Sequence, residues 1–203
     1  SMVRSAAKNH RHVGIVTDPS DYGRVIEEME RNGGGLSDDF RRELAVKAFG
    51  LTARYDAAIS RWLFDAELRD GKAKQAYPQS FSLAGVKLEE LRYGENPHQT
   101  AAVYRQSGST EPSVASSKVL NGKQLSYNNI NDAAAALEAV KSLARLGVVN
   151  GRASAVVVKH TNPCGGAIGN TPSAAIAAAI AGDPRAAYGG ILACSKPIDA
   201  DAA

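Results

Sequence analysis

Apolar and polar positions along the chain follow two periods, and the switches between them mark the elements. Residues 12–17 (HVGIVT) form a short apolar run closed by Asp18-Pro19, the pattern of a buried strand that ends in a turn. The stretch from Asp18 to Asp21 then offers an N-cap. Tyr22, Val25, Ile26 and Met29 recur at helical spacing until Asn32 and three glycines stop them. Ser37-Asp38-Asp39 opens the next helix. Phe40, Leu44, Ala48 and Leu51, then Tyr55, Ala58, Ile59, Trp62 and Leu63, keep one face, so residues 36–65 predict one long amphipathic helix or two joined ones.

From residue 65 to 79 the period is lost. Residues 67–80 read as a linker between two domains, 1–66 and 81–203. Beyond it, residues 82–88 and 101–104 read as strands and 105–117 as loop. Asn121-Gly122 is a turn signal, and residues 132–146 are an Ala-rich helix capped by Asn131 or Asp132. The run at 153–158 is apolar and β-branched, as a fully buried strand is. Pro172-Ser173 opens another Ala-rich helix that ends at Gly182-Asp183-Pro184, and residues 190–194 form a last buried strand. The tandem strand–helix order predicts α/β architecture in both halves.

Composition narrows the class. The 203 residues allow one large domain or two small ones, and 44% apolar with 22% charged residues is a globular balance. No apolar stretch approaches the ~20 residues of a membrane-spanning helix, and no basic-then-apolar start suggests a secretory leader. Cys164 and Cys194 fit reduced thiols in a cytoplasmic protein, without zinc spacing. The net charge of +3, the absence of a basic run and 6% aromatics argue against nucleic-acid binding. A small anionic substrate suits the balance.

Four segments carry candidate chemistry. An apolar strand delivers Lys159 and His160 into an Asn-Pro, Gly-Gly turn. An ammonium beside an imidazole favours its neutral form, which suits a general base near pH 7, while the lysine can stabilise developing negative charge. The bland alternative is a strand end that turns polar at the surface. In Arg92-Tyr93-Gly94-Glu95-Asn96-Pro97-His98, the guanidinium can grip a phosphate and the phenol can stack on a base; a self-satisfied polar loop is the alternative. Residues 121–132 run into a helix N-terminus, an anion site or simply a well-capped helix. Arg4 and Lys8 fall at i, i+4, where like charges repel unless an anion lies between them or both are solvated.

The strings LRYGENPHQ, LNGKQLSYNNIND, VVVKHTNPCGGAIG and AAYGGILACSKPID, in that order, resemble the bifunctional purine-biosynthesis enzymes. These join an aminoimidazole carboxamide ribonucleotide (AICAR) transformylase to an IMP cyclohydrolase. RSAAKNHRHV, DPSDY and LAVKAFGLTARYDAAISRWL resemble the end of the cyclohydrolase domain, so the likeness runs from about residue 3 to 201. It implies the C-terminal part of a methylglyoxal-synthase-like domain over 1–66. Over 81–203 it implies the start of a cytidine-deaminase-like transformylase domain.

By the same resemblance, His160 is the general base that deprotonates the attacking 5-amino group, and Lys159 assists at the transition state. Arg92 holds the nucleotide phosphate, Tyr93 lies near the nucleotide, and Gly189 is a further nucleotide contact. Lys8 is the cyclohydrolase lysine; the motif reads SAAKNH here, with Ser5 a departure from the family's alanine. The resemblance further implies 10-formyltetrahydrofolate as co-substrate, no catalytic metal, no nucleic-acid or membrane partner, and a cytoplasmic homodimer. Family members are longer at both ends. The chain is therefore expected to be an internal piece, without the cyclohydrolase phosphate loop and the later folate-binding residues, and inactive or nearly so by itself.

Overall fold

The computed structural model describes residues 2–72, 76–146 and 150–203. These fall into two compact units, Ser1–Val86 with Gln106–Ser109, and Lys87–Arg105 with Thr110–Ala203. Part of the predicted linker, residues 73–75, lies outside the described residues.

The first unit is built on three helices, α1 (Met2–Lys8), α2 (Tyr22–Arg31) and α3 (Asp38–Arg69). Ser37 caps α3 as its sequence predicts, its hydroxyl accepting from Phe40 N–H at 3.3 Å. α3 is one unbroken helix that runs beyond the expected residue 65 to Arg69. Small residues let α1 approach it: Ala7, Ala45 and Ala48 are buried together, with Val3 and Ile15 beside them. Phe40 and Leu44 are also buried, but farther along the same helix Tyr55 and Trp62 are 68% and 63% exposed.

The strand expected over residues 12–17 does not form, and the described part of the first unit before Gly85 holds no strand. A strand needs a partner for its backbone groups, and this stretch finds none among the described residues. Its first amides turn back instead, His12 and Val13 N–H donating to Asn9 O at 2.9 and 3.0 Å. Among the described residues before Gly85, helices build the first unit.

In the second unit the main sheet has three strands, β3 (Ala153–Lys159), β4 (Asn162–Gly169) and β5 (Ile191–Cys194), ordered β4-β3-β5 with both pairings antiparallel. β1 (Gly85–Glu90) and β2 (Ala102–Gln106) form a separate two-stranded sheet. β3 is buried on both faces, as its uniform apolar run predicts. Ala153, Ala155 and Val157 pack with Ala175, Ile176 and Ala179 of α5 (Pro172–Gly182). Val156 and Val158 pack with Ala136 and Val140 of α4 (Tyr127–Ala144). α6 (Pro184–Ala187) then leads to β5, a half-buried edge strand rather than a fully buried one.

Two expectations change here. α4 begins five residues early, because Ser126 and Asn129 form a reciprocal capping box. Asn131 and Asp132 therefore lie inside the helix and do not cap it. The Asn-Pro, Gly-Gly segment is strand β4, and the turn is only His160-Thr161. Its glycines serve close packing: a Cβ at Gly169 would sit 2.5 Å from Ala175 N of α5, and one at Gly165 would run into the Ala179 carbonyl. No helix among the described residues is long and apolar enough to cross a membrane.

Candidate functional site

The site grows from α4. Arg92 N–H donates to Leu125 O at 2.9 Å, and Tyr127 N–H donates to Tyr93 O at 3.1 Å, so residues 92–93 are strapped to the helix entry. Leu91, buried just before them, anchors the strap. Asn128 Nδ2 adds a bond to Glu95 O at 3.0 Å. The Arg92 guanidinium lies over the Tyr93 ring, 4.9 Å from its centroid, and donates to the phenol at 3.3 Å. Hydrogen bonding with Ser126, then with Arg92, holds that phenol below its ordinary value of 10. The exposed guanidinium is thus held over the ring, and its other N–H donors bond no partner among the described residues, which suits it to an anion.

Five residues further along α4, roughly 7–8 Å of helix rise, stands Asp132. Its carboxylate accepts from His160 N–H at 3.2 Å and Thr161 N–H at 2.7 Å. Both residues have left-handed backbones, φ 52° and 62°. The His160 carbonyl accepts from Thr161 Oγ1 at 2.7 Å and Asn162 Nδ2 at 2.8 Å. The backbone of His160 is therefore pinned at both ends, while no partner among the described residues occupies its imidazole. Lys159, the last residue of β3, donates from Nζ to Tyr188 O at 3.0 Å. That bond ties it to the Tyr188-Gly189-Gly190 turn. Gly189 holds φ 76° there, and a Cβ on Gly190 would lie 2.9 Å from Val158 O.

Arg92, Tyr93, Lys159, His160 and Gly189 thus belong to one unit, linked through α4 and the end of β3. Lys8 stands apart as the exposed last residue of α1 in the first unit. Its neighbour Arg4 is not an open anion site, because it pairs with Asp56 of α3. The helix N-terminus at Tyr127 is likewise satisfied by its capping box. Asp132 is the residue the sequence alone missed. It reads as an ordinary cap residue, and its partners lie 28 and 29 positions away. No group of His, Cys, Asp and Glu among the described residues is arranged to hold a metal ion.

A family model described as AICARFT/IMPCHase bienzyme matches residues 6–203. The chain belongs to this family. Among similar proteins is the bifunctional purine biosynthesis protein PurH of Anaeromyxobacter sp. (strain Fw109-5), 50% identical across the whole chain and 37% of that protein. The PurH proteins of Mesorhizobium japonicum and Chelativorans sp. are 47% and 46% identical, again over the whole chain and 36% of their own length. The chain of this AICARFT/IMPCHase member thus spans little more than a third of those relatives.

Proposed function

We propose that the chain carries part of the apparatus for the last two steps to IMP. The first is formyl transfer from 10-formyltetrahydrofolate to AICAR. The second is ring closure of formyl-AICAR with loss of water. The observation that carries this reading is the single array joining Arg92-Tyr93, α4, Lys159-His160 and Gly189 in a chain of this family. Residues 1–66 are assigned to the methylglyoxal-synthase-like cyclohydrolase domain, 67–80 to the linker and 81–203 to the cytidine-deaminase-like transformylase domain. The whole protein is read as a cytoplasmic homodimer.

In the transfer, the AICAR amine attacks the formyl carbon. The new N–C bond forms as the bond from that carbon to folate N10 breaks. An aromatic amine is a weak nucleophile, so removing its proton during attack contributes about 10²–10⁴-fold. His160, pinned by its backbone and with an imidazole that bonds no partner among the described residues, takes that proton. Lys159 supplies positive charge beside the reacting carbonyl and a proton toward N10. Arg92 holds the phosphate and Gly189 lets the chain pass close to the nucleotide. Lys8 serves the cyclohydrolase, where intramolecular attack already supplies much of the rate.

Because the chain spans about a third of its relatives, it is expected to give little or no turnover by itself. Incubation with AICAR and 10-formyltetrahydrofolate, followed by tetrahydrofolate release, measures this; clear turnover that His160→Ala abolishes overturns the inactivity while supporting the site. Calorimetric titration with AICAR then separates nucleotide binding from catalysis. Heat that is lost in Arg92→Ala supports the site, and no heat at millimolar ligand counts against it. The exposed, oriented Arg92 favours one second reading, a nucleotide-binding module without catalysis.

A further inference from the structure

We propose that Asp132 is a positioning residue that sets where the His160 imidazole points, by clamping the two amides of the His160-Thr161 turn; the inference rests on the reading of His160 as the proton acceptor. Three observations lead there. The turn joins β3 to β4 in a register that pairs Lys159 with Asn162, leaving only two residues to reverse the chain. With positive φ at both central positions the turn is of the I′ kind, which favours glycine or asparagine, yet His160 and Thr161 stand there with φ 52° and 62°. Thr161 is β-branched, the residue type that least tolerates this region. Thr161 Oγ1 and Asn162 Nδ2 brace the His160 carbonyl from within the hairpin, while the acceptor for the two turn amides comes from outside it. Asp132 supplies it from α4, one carboxylate oxygen on each of two successive amides, at 3.2 and 2.7 Å.

The charge of the clamp strengthens both bonds. α4 itself is held by its capping box and by packing of Ala136 and Val140 on Val156 and Val158 of β3. The carboxylate therefore stands on a rigid helix, and the imidazole direction follows from it. Asp132 touches the backbone of the base and not its ring, so it acts through His160.

The test uses the isotopically labelled 203-residue chain and nuclear magnetic resonance. In Asp132→Ala, the amides of His160 and Thr161 are expected to exchange with solvent at least about tenfold faster, while those of Ala155 and Val157 keep their protection. The three-bond couplings of His160 should move from one dominant χ1 rotamer to an average, a change that mere support of the hairpin would not produce. If Ala at this position unfolds the unit, Asp132→Asn, of equal size with one acceptor fewer, should speed exchange at one of the two amides and broaden the His160 rotamer. Unchanged exchange in these variants overturns the clamp. Faster exchange with an unchanged His160 rotamer overturns the positioning role. A separate AICAR titration of the unsubstituted chain, read at the His160 ring, tests the underlying reading. No response there counts against the transformylase site, while the couplings still decide the role of Asp132.

Discussion

Gly189 and Gly165 show two different reasons for glycine at the residue scale. Gly189 has open space around its Cα but a left-handed φ of 76°. Gly189→Ala is therefore expected to lose about 1–2 kcal/mol through backbone strain alone, read as a shift of the urea midpoint. Gly165 meets the Ala179 carbonyl of α5, so its problem is space. Gly165→Ala should cost about 1–3 kcal/mol by forcing α5 away from β4, and should broaden signals of Ala175 and Ala179. The sequence reads Gly165 as part of a turn. It lies in β4 instead, and its need for glycine comes from a helix packed across that strand.

A titrating residue gives a further expectation. The Ser37 hydroxyl and N–H both donate to Glu28, at 2.7 and 3.2 Å. They hold its carboxyl below the ordinary value of 4.5. A depressed folded value means the contribution is present above the unfolded value and fades as pH falls through the folded one. The first unit should thus keep its helix content at pH 7 and begin to lose it below the ordinary 4.5. Glu28→Gln should flatten that acid limb in circular dichroism; an unchanged limb would refute the assignment.

At the scale of elements, α4 is the piece on which the candidate site depends. The sequence marks an Asn-rich helix entry but not the Ser126/Asn129 capping box, and it puts the helix start five residues late. Several Ser, Asn and Asp residues in a row each offer a cap, and local preference does not choose among them. The choice is made by two backbone bonds, Arg92 N–H to Leu125 O and Tyr127 N–H to Tyr93 O, which strap residues 92–93 to the helix entry. Ser126→Ala is expected to destabilise the second unit by about 1 kcal/mol. It should also loosen the strap, seen as faster amide exchange at Arg92 and Tyr127. The hairpin β3–β4 is the converse case. Its first strand was plain from an apolar run, while its second was hidden by proline and glycine. Pro163 is tolerated because β4 is an edge strand.

At the scale of the whole molecule, the two units carry unequal cores. The second buries β3 on both faces between α4 and α5. The first buries a small set around Ala7, Leu44 and Ala48 and leaves the second half of α3 largely exposed. Thermal unfolding is therefore expected in two steps, the first unit preceding the second. Glu28→Gln should move only the earlier step and Ser126→Ala only the later, as separate probes in the two units would report. A single coincident transition for both variants would contradict this.

The sequence by itself determined the helices α2, α3 and α5, the buried strand β3 and the motifs that mark the family. Each of these rests on neighbours within a few residues: an apolar period, a cap, a run of β-branched side chains. Tertiary structure alone decided that residues 12–17 have no partner strand among the described residues and that Asn162–Gly169 pairs with β3. It also turned Asp132 from a helix residue into the clamp on His160-Thr161. These depend on groups brought together from distant positions, and a local pattern carries no record of which distant backbone will need an acceptor.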